Sequence, residues 1–191
     1  PQGRADYAFI QHILKSMDPK SGRCAMLLPH GVLFRNEESE MRERLVRSDL
    51  LEAVIGLGAN LFFNSPMEAC ILICRSEKAP NRRKEILFVD ASTEVTRKNA
   101  QSYLDPRHIK RIVEAYRSDE NIEGFSSHAS FSEIEGNAFS LSIPLYVKPS
   151  NDENADDRSI EKTVESWRAA STEAASLLDD IAAKLHENDG E

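Results

Sequence analysis

The chain has 191 residues, 40% hydrophobic and 29% charged, enough to close a real core in one globular domain with an appendage. Its formal charge of −8 argues against a protein that simply coats nucleic acid, because affinity for a polyanion comes mainly from Lys and Arg neutralising phosphates. The excess is local: residues 150–191 hold twelve acidic and four basic side chains, whereas residues 1–149 hold twenty of each.

Cys24, Cys70 and Cys74 lie in apolar runs and lack the spacing of a disulfide framework, so a reducing, cytoplasmic compartment is expected. No run approaches the ~18 apolar residues of a membrane span, and no basic-then-apolar leader opens the chain. A start at Pro1 rather than Met raises the expectation of a piece cut from something longer.

In chain order, residues 5–17 set Ala5, Phe9, Ile13 and Met17 four apart with Ile10 and Leu14 beside them, an amphipathic helix with Asp6 as the expected N-cap. Ser21-Gly22 ends it. The run from Cys24 to Leu28, closed by Pro29-His30-Gly31, reads as a strand buried on both faces, and this succession is half of a βαβ repeat. A helix over 37–48 follows, with Glu38/Arg42 and Glu40/Arg44 at i,i+4 and Met41 and Leu45 turned to the core. Strands are predicted over 53–57, 69–74 and 86–90, the last after a basic turn at 78–84. Asp105-Pro106 opens a helix with Ile109, Ile112, Val113 and Tyr116 on one face. Residues 125–147 read as short strands and turns. The pattern predicts an α/β fold whose sheet turns antiparallel in its final part.

Residues 148–158 are polar and acidic, a predicted linker. Beyond it, over 159–187, Ile160, Val164, Trp167, Ser171, Ala174, Leu178, Ile181 and Leu185 alternate spacings of four and three, the a/d seam of a coiled coil. Such a stripe needs a partner helix, or the domain itself, to cover it.

Spacing alone yields no catalytic constellation. The five histidines are scattered, no HExxH or CxxC pair exists, and Cys70 and Cys74 fall on one face of a strand, so no metal site is expected. Gly56-Leu57-Gly58 has the form of the start of a dinucleotide-binding GxGxxG, the only basis for a nucleotide-binding oxidoreductase. No third small residue or helix follows, and a strand ending in a glycine turn accounts for it. More informative is the loop 60–67, which sets Phe62 and Phe63 between two buried strands, at a sheet end where ligands bind in open α/β folds. One reading has one ring plugging the core; the other is an aromatic platform on which a base stacks.

Several of these segments, in order, resemble one family. Ala5-Asp6-Tyr7-Ala8-Phe9-Ile10-Gln11-His12, Gly22 through Pro29-His30-Gly31-Val32-Leu33-Phe34-Arg35, Glu40-Met41-Arg42-Glu43-Arg44-Leu45, Leu51 through Leu57, Asn60-Leu61-Phe62-Phe63 and Ala69-Cys70-Ile71-Leu72 are similar to the modification subunit of type I restriction-modification systems. That family is an N6-adenine DNA methyltransferase using S-adenosylmethionine, and the similarity runs from about residue 3 to residue 147. The family's glycine-rich cofactor loop and Asn-Pro-Pro-aromatic motif lie upstream of the helix beginning near Ala5, and neither occurs in these 191 residues. The resemblance therefore implies the C-terminal half of a Rossmann-like methyltransferase sheet with a terminal antiparallel hairpin (1–147), the linker (148–158) and a long C-terminal helix (159–187). It implies inactivity of this part alone.

By position, Phe9 matches an aromatic that packs near the cofactor's adenine, the alternative being a core Phe on an apolar face. Phe62 or Phe63 matches the aromatic that stacks on the flipped target adenine, although the family often has Tyr at Phe63 and glycines at Asn64 and Pro66. The helical stripe, above all Ile160, Val164, Trp167, Leu178, Ile181 and Leu185, would pack on the specificity subunit, with a restriction subunit as a further partner. Arg82, Arg83 and Lys84 are candidate DNA-backbone contacts, as are Arg97-Lys98 and the set Arg107, Lys110 and Arg111. The reading from a different class is a non-catalytic assembly module that keeps half the fold to bind partners.

Overall fold

The computed structural model describes residues 5–63, 65–99 and 101–148, together with Val164, Trp167 and Arg168. The chain divides into two units, 1–149 and 150–191. In the second, Val164, Trp167 and Arg168 are helical and exposed; Ile160, Leu178, Ile181, Leu185 and the predicted linker from 149 onward lie outside the described residues.

Helix α1 (Asp6–Ser16) leads into β1 (Arg23–Pro29), then α2 (Ser39–Arg47), β2 (Leu51–Leu57), β3 (Ala69–Arg75) and β4 (Glu85–Ala91). A hairpin of β5 (Thr96–Lys98) and β6 (Gln101–Tyr103) precedes α3 (Pro106–Arg117), β7 (Ser126–Ser130) and α4 (Phe131–Gly136). The main sheet has the order β1-β3-β2-β4-β7. β3 runs antiparallel to both β1 and β2, β2 and β4 are parallel, and β4 and β7 are antiparallel. Thus β1, β2 and β4 point one way, as a βαβ unit requires, but β3 is inserted between the first two. The sheet is mostly antiparallel along its whole width rather than only at its end. Apolar runs buried on two faces look alike in either direction, so direction had to come from the connections, and the described residues of the 58–68 loop form no crossover helix.

Strand alternation feeds two cores. Val54, Leu72, Ile86 and Phe88 face a cluster completed by Tyr7 and Ile10 of α1, Leu45 and Val46 of α2, and Ile134, Ile143 and Tyr146. Ala53, Ile55, Leu87 and Val89 face the other, under Ile112 and Ala115 of α3. Burial on both faces is why β2 and β4 read as unbroken apolar runs. β1 does not share it: Met26 is buried, but the second cluster contains no β1 residue and Leu27 is 53% exposed. The expectation of a doubly buried first strand is corrected, because β1 is an edge.

Other expectations change in detail. Asp6 lies inside the first turn of α1, with Ala5 as N-cap, and pairs with Arg35 at 3.0 Å. Glu38 and Arg42 do not pair with each other: buried Arg42 donates to the carbonyls of Arg35 (2.7 Å) and Phe139 (3.1 Å), while buried Glu38 faces Arg35 at 3.6 Å. Tyr7 donates to the carbonyl of Val32 at 3.0 Å, and burial keeps its hydroxyl protonated far above the ordinary range. These bonds pin the 30–35 turn to both helices. Asp105 caps α3 in a capping box with His108, but Ile109 and Val113 of the predicted apolar face are largely open. Residues 131–136 form α4, capped by Ser130, where short strands and turns were expected. Six residues are too few to show a helical period.

At the end where β4 begins, Arg82 is tied down. Its Nε donates to Asp119 Oδ1 (2.8 Å), its Nη2 donates to the Ser118 carbonyl, and its Nη1 faces His128 Nε2. Lys78 of the predicted basic turn is buried against Asp49 at 2.7 Å and donates to the Glu85 carbonyl.

Phe88 is fully buried and stacks on Tyr146 with ring centroids 4.0 Å apart; Phe88→Ala is expected to cost about 3–5 kcal/mol in urea unfolding. His128 supplies a pH dependence. Burial and then the Arg82 charge lower its pKa below 6.5, so the unfolded chain binds the proton better. Its contribution to stability is present above about pH 6.5 and is lost as pH falls toward the lowered value. Urea midpoints measured across that window should drop for the wild type and lose this component in His128→Asn.

Candidate functional site

Because β1, β2 and β4 share a direction, their C-terminal ends meet at one end of the sheet, and the connections 30–38, 58–68 and 92–105 gather there. Direct contacts join them. The His30 ring sits 3.1 Å from Glu68 Oε2 through Nδ1, and its backbone N–H donates to the Glu68 carbonyl. Ser102 N–H donates to the Asn60 carbonyl at 2.8 Å. At Gly58 an added Cβ would lie 2.4 Å from the Ser92 carbonyl oxygen, and at Gly56 one would lie 2.6 Å from Ile143 Cδ1. The two glycines thus serve close packing of β2 and its exit, which accounts for the Gly56-x-Gly58 pair.

The 60–67 loop begins with Asn60 in the left-handed region at φ 60°, a conformation Asn tolerates better than most residues. Leu61 packs on the second core cluster, so the loop is anchored by an aliphatic residue and neither Phe plugs the core. Ser65 N–H donates to the Phe62 carbonyl at 3.2 Å, closing a tight turn with Phe63 near its tip, 83% exposed. Phe62 is half-buried and walls a shallow groove of about 200 Å³ with Leu27, Leu28, Pro29 and Met67. One ring therefore lines an apolar slot and the other offers a free face, an arrangement suited to a flat aromatic ligand held by stacking.

Phe9 is 64% exposed on α1, while Tyr7 and Ile10 do the core packing; it is not a core Phe. The Asp6–Arg35 ion pair ties its helical turn to the 30–38 connection. Cys70 and Cys74 are buried in the first cluster, and burial pushes the Cys70 thiol up to about 12, so it is inert at neutral pH. Among the described residues no three His, Cys, Asp or Glu converge as a metal cage, and no helix is long and apolar enough to cross a membrane.

The predicted basic groups separate. Arg82, Arg83 and Lys84 precede β4 and so lie at the opposite end of the sheet from Phe62 and Phe63. Arg83 and Lys84 are exposed there, whereas Arg82 is engaged by Asp119. Arg111 pairs with Glu94, Lys110 with Glu114 (3.7 Å), and Arg107 reaches Asp105 (4.0 Å). Sequence reasoning missed the β5–β6 hairpin beside the aromatic loop; its only signal was Asn99, which takes φ 56° at the turn. It also left His30 unassigned, a residue whose role depends on a partner 38 positions away.

Comparison with known proteins agrees with this architecture. The family model described as N-6 DNA Methylase matches residues 1–155. The type I restriction enzyme MjaVII methylase subunit of Methanocaldococcus jannaschii is 32% identical over 185 residues, 95% of this chain and 31% of that protein. The MpnII methylase subunit of Mycoplasma pneumoniae is 26% identical over 187 residues, 95% of this chain and 34% of that protein. The chain thus spans about a third of the length of these relatives. The crystal structure of a type I restriction-modification methyltransferase subunit from Streptococcus thermophilus superposes with a TM-score of 0.72 at 39% identity, covering 78% of this chain and 31% of that one. The EcoKI M protein shares the fold at a TM-score of 0.63 and 16% identity, covering 78% and 39%. With the family match spanning most of its length, the chain belongs to the N-6 DNA methylase family.

Proposed function

We propose that this chain is the C-terminal part of the modification subunit of a type I restriction-modification system, a cytoplasmic enzyme that transfers a methyl group from S-adenosylmethionine to N6 of adenine in DNA. The observation that carries the proposal is the aromatic loop at the C-terminal end of β2, with Phe62 in a groove wall and Phe63 presenting an open face. Chemistry on a base inside a duplex requires that the base leave the stack and be held elsewhere. A groove walled by Phe62 and aliphatic side chains, with the exposed ring of Phe63 next in sequence, supplies such a holder.

In this reading the work of the chain is binding and orientation. The target adenine stacks on Phe63 or Phe62 and slides toward the slot beside Leu28 and Pro29. The family's motif whose Asn side chain and Pro carbonyl would hold its amino group does not occur in these 191 residues, and the edge of β1, unpaired among the described residues, offers a strand-pairing site for a further segment. Phe9 fits the adenine ring of the cofactor by its exposure and by the tie of its helix to the sheet end; when bound, S-adenosylmethionine supplies an electrophilic methyl group on sulfonium. The Rossmann-like completion of the sheet and the inactivity of this part alone belong to the same proposal.

The 159–187 stripe is assigned to the specificity subunit, with a restriction subunit as a further partner. The exposure of Val164 and Trp167 supports this, as does an acidic charge that repels DNA and leaves a protein as the partner. The assembly-module alternative predicts the same association without any effect of the aromatic loop on methylation.

One measurement separates the readings, and a second tests the association that both predict. In the complete polypeptide assembled with its partners, Phe63→Ala or Phe62→Ala should lower methyl transfer roughly 5- to 150-fold, the equivalent of the about 1–3 kcal/mol carried by one stacked base; undiminished methylation in both removes the base-stacking role. Trp167 is the chain's single tryptophan and is 69% exposed. Its fluorescence should shift to the blue when a specificity subunit is added, and an unchanged spectrum excludes that contact.

A further inference from the structure

We propose that the β5–β6 hairpin is a DNA-backbone clamp, with Arg97 and Lys98 holding the phosphates that flank the base taken up by the aromatic loop. The proposal rests on the reading of that loop as a base-holding site and adds the contact that positions the strand.

Placement comes first. The hairpin belongs to the connection leaving β4 and is bonded to the base-holding loop through Ser102 N–H and the Asn60 carbonyl, 2.8 Å apart. Phe63 follows Asn60 by three residues, so the hairpin and the exposed ring share one end of the sheet. The register sets Arg97 opposite Ser102 and Lys98 opposite Gln101. Ser102 is buried, whereas Arg97 and Lys98 are both exposed. Tyr103, 44% exposed, adds a second aromatic surface next to Ser102.

Charge comes second. The other cations of this end have carboxylates beside them: Arg111 pairs with Glu94, and the exposed Arg107 and Lys110 lie 4.0 Å from Asp105 and 3.7 Å from Glu114. Nearby carboxylates have partners of their own, Glu94 in Arg111, Asp90 in Ser92, Asp105 in Thr96 and the α3 N-terminus, and Glu68, half exposed, in the His30 ring. Arg97 makes no ion pair or hydrogen bond among the described residues. Lys98 acts on Asp105 only from a distance, as one of the charges that lower its pKa. Two cations without ion pairs among the described residues, on a two-stranded ribbon beside an exposed aromatic, match a nucleic-acid strand, which pairs phosphates with stackable bases. An acidic protein surface would use the cations but leave the adjoining rings without a function. Arg83 and Lys84, also exposed, lie at the far end of the sheet from Phe63.

The test is the salt dependence of duplex binding by the complete polypeptide in its assembled complex. Each phosphate contact contributes about 0.9 to the slope of log K against log salt for B-DNA. Arg97→Gln with Lys98→Gln should therefore lower that slope by about 2 equally for target and non-target duplexes. Arg97→Lys with Lys98→Arg should restore it, and Arg83→Gln with Lys84→Gln should leave it unchanged. An unchanged slope in the Arg97/Lys98 variant, with the wild type binding DNA and methylation still sensitive to Phe63→Ala, overturns the clamp and leaves the base-holding loop standing. A wild-type complex with no salt-dependent DNA binding overturns both.

Discussion

The antiparallel insertion of β3 between β1 and β2 governs the rest of this domain. Because β3 pairs with both neighbours over nearly its full length, β1 and β2 are held parallel but one strand apart, and β4 adds beside β2 in the same direction. Three strand ends then open on one side, and the chain must spend its loops there to turn round. The 58–68 loop must reverse β2 into its antiparallel neighbour β3. That geometry lifts Phe62 and Phe63 away from the core while Leu61 holds the loop down. A parallel continuation would have required a crossover helix at the same place and removed the aromatic slot.

Buried polar groups fix what the sheet leaves free. Arg42 gives its guanidinium to two backbone carbonyls from different segments, and Arg35 bridges Asp6 and Glu38, so the turn after β1 is locked between α1 and α2. On the opposite end Lys78 and Asp49, and Arg82 with Asp119 and His128, close the loops that enter β4. Lys78 and Arg82 near that end are held in ion pairs, whereas Arg97 and Lys98 of the β5–β6 hairpin make none among the described residues. The neutral balance of residues 1–149 thus hides an uneven pairing of cations between two ends of one sheet, while the acidic excess lies in residues 150–191.

Much of this was legible in the residues. The four central runs became strands because their apolar character is continuous, and α3 starts at Asp105-Pro106 because that pair both caps and begins a helix. Strand direction was not legible, since a two-face-buried strand carries no sign of its orientation. Nor was the edge character of β1, whose apolar sequence is the same whether or not a neighbour covers Leu27. The i,i+4 reading of Glu38 and Arg42 failed because buried backbone carbonyls from residues 35 and 139 compete better for the guanidinium than a carboxylate one turn away. In the site, the aromatic loop was visible as Phe62-Phe63 among turn residues. The approach of the hairpin to it depends on a hydrogen bond between residues 60 and 102, which no local pattern records.

The central claim is that the flipped base is held by the loop at the C-terminal end of β2. Photocrosslinking tests it directly: a duplex carrying 5-iodouracil in place of the target adenine is irradiated with the complete polypeptide in its complex, and the adduct is mapped by mass spectrometry. The adduct is predicted within residues 60–67, on Phe62 or Phe63. An adduct confined to the 78–84 end of the sheet, or none in this chain while the duplex is bound, would contradict the account.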